Sequence, residues 1–356
     1  MTPGSLLSDR LVAAGFIRPA VLMRGLQLSR PSLGRWPVSL VIGLSGLLVE
    51  PLAWLQSCLL SRRIRRVQLP EAPIVVIGHW RSGTTYLHQL LGADPGMATA
   101  RNALTVAPHV ALLLKPCLTW LLARVMTRIR PIDAVPWSPH DPQEDELGLA
   151  RLTMDTNMAG MAFPRQYSFH FHRSVEHTTR RYERQWLQFT RLTWLHDGAR
   201  KAELLIKNSA HSARVPMVLR HFPKARFVLL RRDPEASIRS LVQVKQRLGT
   251  LVGLQPPPDV ITQVEETVAA HRALMGAFEK SRAAIPEGQL LELNYSDLVS
   301  DPLAAVQRIH NHFGLPGWQR AEAPIRERIA QASHYQADPV QLPAAAEQRL
   351  QQLLEA

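Results

Sequence analysis

The stretch Pro73 to Leu91, PIVVIGHWRSGTTYLHQLL, constrains the fold of this chain more than any other. A short β-branched run passes through a glycine-bounded loop into a helical pattern. A chain that turns so sharply from strand to helix aims several backbone N–H groups, and the positive end of the helix dipole, at one point in space. Such a turn is a cradle for an anion. It predicts an α/β fold, a P-loop-type parallel sheet flanked by helices.

The spacing is close to the phosphate loop G-x-x-x-x-G-K-[ST], with Gly78 and Gly83 in the glycine positions and Thr85 in the hydroxyl position. The lysine is missing. Thr84 stands where a nucleotide triphosphatase places a cation on the β- and γ-phosphates, and the nearest positive side chain, Arg81, lies inside the loop. The cradle therefore suits an anion other than a γ-phosphate. The plainer alternative is a turn whose hydroxyls only cap a helix.

A second strand-to-helix passage, Ala225 to Ser240 (ARFVLLRRDPEASIRS), carries Arg232 at the strand end and Ser240 eight positions later. A planar guanidinium forks two oxygens of a phosphate, and a hydroxyl from the following helix closes the shell. Together the two passages resemble the sulfotransferases that use 3′-phosphoadenosine 5′-phosphosulfate (PAPS) as donor. RSGTT is similar to that family's 5′-phosphosulfate loop, and the second block to its 3′-phosphate site. The resemblance implies that Arg81, Ser82, Gly83, Thr84 and Thr85 hold the 5′-phosphosulfate, and that Arg232 and Ser240 hold the 3′-phosphate. It implies no metal.

Weaker matches extend the likeness from about residue 70 to residue 336. Leu204 to His211, LLIKNSAH, ends a strand where relatives carry a lysine, which puts Lys207 beside the reacting group. Asn294 to Pro302, NYSDLVSDP, resembles a segment whose tyrosine lies near the adenosine, which makes Tyr295 its counterpart. Arg130 to Leu149, RPIDAVPWSPHDPQEDELGL, is similar to a bacterial branch with R-P-x-D-x-V followed by P-Q-E-D-E. The implied reaction is in-line displacement at sulfur by an acceptor hydroxyl or amine. It needs a base for the acceptor proton and cations for the charge that develops on the bridging oxygen.

Arg81 and Lys207 are the candidates for the cationic work. Glu144 is the preferred base, although Asp141, Pro142 and Glu144 also read as a capping box at a helix start. Glu146 and His140 are its neighbouring substitutes. His211 is the rival base; it stands four residues after Lys207, where cytosolic relatives place a histidine two residues after the lysine.

Composition narrows the partners. The net charge of +13 comes mainly from arginine, since only 6 of 42 basic residues are lysine, and arginine is the better fork for sulfate and phosphate. The charge is spread along the chain with no zinc-finger, RNA-recognition or helix-turn-helix spacing, which argues against nucleic acid. Two cysteines, Cys58 and Cys117, make no disulfide framework and suit a reducing, cytoplasmic setting. A P-loop kinase would show a lysine at position 84 and a Mg²⁺-binding acid. A non-catalytic membrane-surface protein would explain charge and apolar leader but not the pairing of Arg81 with Arg232 and Ser240.

Three divisions follow: an apolar, basic helical leader over 1–69, the catalytic domain over 70–345 and a tail over 346–356. Within the leader, Val38 to Val49 is free of charge for 12 residues, about 18 Å of helix, before Glu50 and Pro51 interrupt it. Arg24, Arg30 and Arg35 precede the apolar stretch and Arg62, Arg63, Arg65 and Arg66 follow it. Two basic flanks predict a hairpin or interfacial helix lying on the anionic inner face of a membrane, and point to a lipid or amphiphile as acceptor, with sugars and small phenols as the alternatives. Packing against the domain, or against a second copy in a homodimer, is the alternative. Val110 to Arg130 is expected to cap the site, Trp186, Phe189, Leu192 and Leu195 to share one core-facing helix side, and Gly249 to Pro258 to form a mobile lid.

Overall fold

In the computed structural model, which describes residues 14–126, 137–198, 201–332 and 340–355, five strands form one parallel sheet. They are β1 (Ile74–Ile77), β2 (Met97–Thr99), β3 (Glu203–Lys207), β4 (Arg226–Arg231) and β5 (Leu290–Asn294), in the order β2-β3-β1-β4-β5. The four apolar residues of β1 are fully buried, as a central parallel strand covered on both faces requires. Val76 pairs with Lys207 and Ile77 with Leu229, so the ends of β1, β3 and β4 share one edge. Because β1 lies between β3 and β4, the strand order reverses beside it, and the crevice at that edge is where such sheets bind ligands.

Alternation along the strands feeds two cores. Val75, Ile77, Ile206 and Phe227 pack on one side with Trp186 and Phe189; Ile74, Val76, Leu205 and Val228 pack on the other with Leu87 and Leu90. The helix Arg180–Asp197 begins at Thr179, whose side chain accepts from the Tyr182 N–H at 3.0 Å. It buries Trp186, Phe189 and Leu192, with Leu195 half-buried beside them, as their spacing predicts.

The leader differs from its sequence reading at one point. The helix Trp36–Arg66 runs through Glu50 and Pro51 without a break. A proline removes one backbone bond, but packing rather than local propensity decides a helix of this length. Glu50 is ion-paired with Arg18, and Gln56 Nε2 donates to Pro108 O at 3.1 Å while its Oε1 accepts from Leu112 N at 2.9 Å. Among the described residues this is the one helix long and apolar enough to cross a membrane.

Residues 344–355, at the position of the expected tail, form a helix that buries Ala346 and Leu350 against Ile238, Val242 and Val264. The expected mobile lid is instead held. The helix Pro234–Leu251 takes in its first residues, and beyond it Leu254 N donates to Ala162 O at 2.7 Å while Leu254 O accepts from Ser32 N at 2.9 Å. Gln255 Nε2 adds a bond to Arg30 O at 2.9 Å, so the strap is pinned between leader and domain. Of the expected cap, Lys115–Val125 is a helix whose residues do not line the cavity described below. The segment Arg130 to Val135 lies outside the described residues.

Candidate active site

The first cradle forms where β1 ends. Gly78 and Gly83 hold φ of 134° and 92°, and a side chain at either would collide, with Leu230 O at 2.5 Å and with the Tyr295 ring at 2.6 Å. Arg81 also takes a left-handed backbone, φ 67°, at a cost of about 1–2 kcal/mol for an L-residue. Gly78 N donates to Ser212 Oγ at 2.9 Å. The Ser82 hydroxyl turns back into the loop and donates to His79 O at 2.7 Å, leaving Arg81, Gly83, Thr84 and Thr85 on the cavity wall.

The second block closes on the first. Asp233 caps the helix Pro234–Leu251 by accepting from Ala236 N at 2.8 Å, which fixes Arg232 at the strand end and Ser240 two turns along. Arg232 Nη1 donates to Arg81 O at 2.7 Å, Arg81 Nε donates to Ser240 Oγ at 3.0 Å, and the Arg232 guanidinium lies 4.3 Å over the Tyr295 ring. Tyr295 begins the helix after β5. Residues 81, 232, 240 and 295 thus meet in one cluster although they come from three strand ends. Two guanidinium groups, a hydroxyl and an aromatic face offer what a nucleotide bearing two anionic groups needs.

On the other side of the loop, Lys207 Nζ donates to Glu144 Oε2 at 2.5 Å, and Ser209 N reaches Glu144 Oε1 at 3.3 Å. Both side chains are almost wholly buried and both line the cavity. The capping box is not formed. The helix begins at Asp145, Pro142 bridges Arg101 instead, and Glu144 makes no side-chain bond to the helix start. Its carboxylate is turned to the lysine.

The next two acids face the core. Asp145 accepts from Asn208 Nδ2 at 2.6 Å and Trp186 Nε1 at 3.1 Å; Glu146 accepts from Asn208 Nδ2 at 2.7 Å, Tyr182 Oη at 2.9 Å and Arg214 Nη1 at 3.1 Å. Burial alone would raise the Glu146 carboxyl, but the charge and hydrogen bonds of Arg214, with Asn208 and the Asn157 N–H, hold it below the usual carboxylate range. Glu146 is a committed structural anion. His211 is fully buried, 3.4 Å from Asp145 Oδ2 and edge-on to Trp186 at 5.3 Å, and does not line the cavity. His140 is exposed, also off the wall.

The loop, the arginine cluster and the Glu144–Lys207 pair open into one cavity of about 1150 Å³. Much of its remaining wall is apolar: Ile17, Leu22 and Ile42 from the leader, Met154, Met158 and Phe163, Leu248 near the end of the helix Pro234–Leu251, and Leu254 from the pinned strap. Arg239, Gln243 and Arg247 also reach it, and their four-residue spacing on one helix is a signal that sequence reasoning passed over. The apolar wall carried no such signal. Arg151, wholly buried on the same wall, has its pKa lowered by burial to about 10.

A parallel sheet with a phosphate-type loop after its central strand, faced by a second arginine block, defines a P-loop-like transferase architecture. A model of the sulfotransferase family matches residues 73–320, and the chain belongs to that family. Two relatives, the omega-hydroxy-beta-dihydromenaquinone-9 sulfotransferases Stf3 of Mycobacterium bovis and Mycobacterium tuberculosis, are 27% identical over 317 residues, 86% of this chain and 79% of each relative. The crystal structure of sulfotransferase STF9 from Mycobacterium avium superposes with a TM-score of 0.66 at 17% identity, over 94% of this chain and 88% of that one. STF1 from Mycobacterium tuberculosis gives 0.58 at 17% identity, over 98% and 93%. These two likenesses show the shared fold.

Proposed function

We propose that this sulfotransferase moves the sulfonyl group of PAPS to the hydroxyl of an apolar, lipid-like alcohol. The observation that carries the reading is the single cavity in which the Arg81–Arg232–Ser240–Tyr295 cluster and the Glu144–Lys207 pair share walls with an apolar chamber. The cluster holds the bisphosphate end of the donor. Glu144 takes the acceptor proton, the acceptor oxygen attacks sulfur in line, and the sulfur–oxygen bond to the 5′-phosphate breaks with its electron pair going to adenosine 3′,5′-bisphosphate. Lys207 and Arg81 meet the charge developing on that bridging oxygen. An amine would fit the same chemistry, but the apolar wall, and relatives named for a hydroxylated menaquinone, favour a lipid alcohol.

Calorimetry tests the donor half. Adenosine 3′,5′-bisphosphate is expected to bind about tenfold or more tighter than ATP, with no need of Mg²⁺. Equal affinity for ATP, or a strict Mg²⁺ requirement, would favour a phosphotransferase instead. Mass spectrometry of a host lipid extract incubated with PAPS, with and without enzyme, tests the acceptor half; a sulfated product found only among water-soluble phenols or sugars would overturn the lipid assignment.

A further inference from the structure

The helix Trp36–Arg66 has two faces of opposite fate. Its inner face buries Ser39, Ile42, Ser45, Ala53 and Gln56 against the domain, and Ile42 forms part of the cavity wall. Its outer face leaves Leu40, Leu44, Leu47, Leu48, Trp54 and Leu59 exposed, Leu48 by 79% and Trp54 by 67%. Exposed single leucines are ordinary, but an unbroken apolar stripe along more than five turns, from Leu40 to Leu59, is not. The helix Lys115–Val125 also leaves Trp120 and Leu121 exposed.

Charge says what covers this face. The stripe contains no acid except Glu50, which Arg18 neutralises. It ends in Arg62, Arg63, Arg65 and Arg66, all exposed and none with an ion-pair or side-chain hydrogen-bond partner among the described residues. Apolar side chains beside unpaired guanidinium groups complement the acyl and phosphate layers of an anionic bilayer. A second copy packed in parallel would present four more arginines to the same place. A crossing orientation would strip the helix from the domain and put Ser39, Ser45 and Gln56 in hydrocarbon.

We propose that the outer face of Trp36–Arg66 lies flat on an anionic lipid bilayer. The helix is then the partition between lipid and cavity, one helix diameter thick, about 10–12 Å. An apolar alcohol drawn from the bilayer has only that wall to pass. This last step rests on the lipid-alcohol reading; the docking itself does not.

Flotation of the full chain with vesicles tests the docking without any activity measurement. The protein is expected to float with vesicles containing phosphatidylglycerol and to stay behind with phosphatidylcholine alone. Leu44→Ser with Leu48→Ser, and separately Arg62, Arg63, Arg65 and Arg66 all changed to Gln, are each expected to weaken flotation about tenfold or more. None of these residues lines the cavity, so bisphosphate affinity is expected to hold in both variants and reports that they fold. Flotation that ignores lipid charge, or survives both sets of substitutions, overturns the proposal. Retention in the membrane through alkaline carbonate would show a span, and a dimer in light scattering that the leucine variant dissociates would show a protein partner; either outcome also overturns it.

Discussion

The two ends of the cavity are built in opposite ways. The polar end comes mainly from two short passages, Gly78 to Thr85 and Arg232 to Ser240, each a strand turning into a helix, with Tyr295 from a third strand end. The apolar end is gathered from Ile17 and Ile42, Met154 and Phe163, and Leu248 and Leu254, segments scattered over most of the chain. Anion chemistry needs fixed N–H groups and charges at element ends, which forces particular residue types into particular positions. Apolar volume needs only bulk, and any fold can supply bulk from anywhere.

The difference makes the two ends separable by mutation, and Glu144 stands where they meet. Glu144→Gln is expected to lower turnover by about a hundredfold to ten-thousandfold, with bisphosphate affinity unchanged by calorimetry. His211→Ala, at a buried side chain off the cavity wall and edge-on to Trp186, is expected to leave turnover near wild type. Were the histidine variant dead with donor binding intact, and the glutamate variant active, the base would be His211. Arg232→Ala should act only at the polar end, weakening adenosine 3′,5′-bisphosphate about ten- to a hundredfold while the acceptor KM holds. The smallest effect belongs to the other end. Leu248→Ser should raise the KM for a long-chain alcohol about three- to tenfold and leave bisphosphate affinity alone. If Arg232→Ala and Leu248→Ser shifted both affinities together, the two ends would be one coupled site.

The same contrast explains what the sequence made legible. The parallel sheet, the loop and the core side of Arg180–Asp197 are written in contiguous patterns, and the structure has them there. Lys207 is reached by resemblance and Glu144 by residue type, but their pairing, 63 positions apart, shows in neither segment: it depends on β2 lying beside β3 and on the bridge of Arg101 to Pro142 beyond β2. The capping-box reading of Asp141 to Glu144 was locally sound and lost to a tertiary contact, the bridge of Pro142 to Arg101. Glu50 and Pro51 looked like an interruption because the ion pair with Arg18 is invisible in a linear reading. The strap over Gly249 to Pro258 looked loose for the same reason: its hydrogen bonds go to Ser32, Arg30 and Ala162, which no local pattern announces.

The position of β1 has a consequence for how the chain is made. It is synthesised first among the strands, yet its partners β3 and β4 follow about 130 and 150 residues later. At ribosomal speeds that is on the order of ten seconds during which Ile74 to Ile77 has no neighbouring strand to pair with. Sheets closed by such distant pairings fold slowly and expose apolar strand edges meanwhile. A nascent chain ending before Lys207 therefore carries the whole RSGTT loop without the sheet that shapes it, and its survival depends on whatever shields that strand in the cell until β3 and β4 arrive.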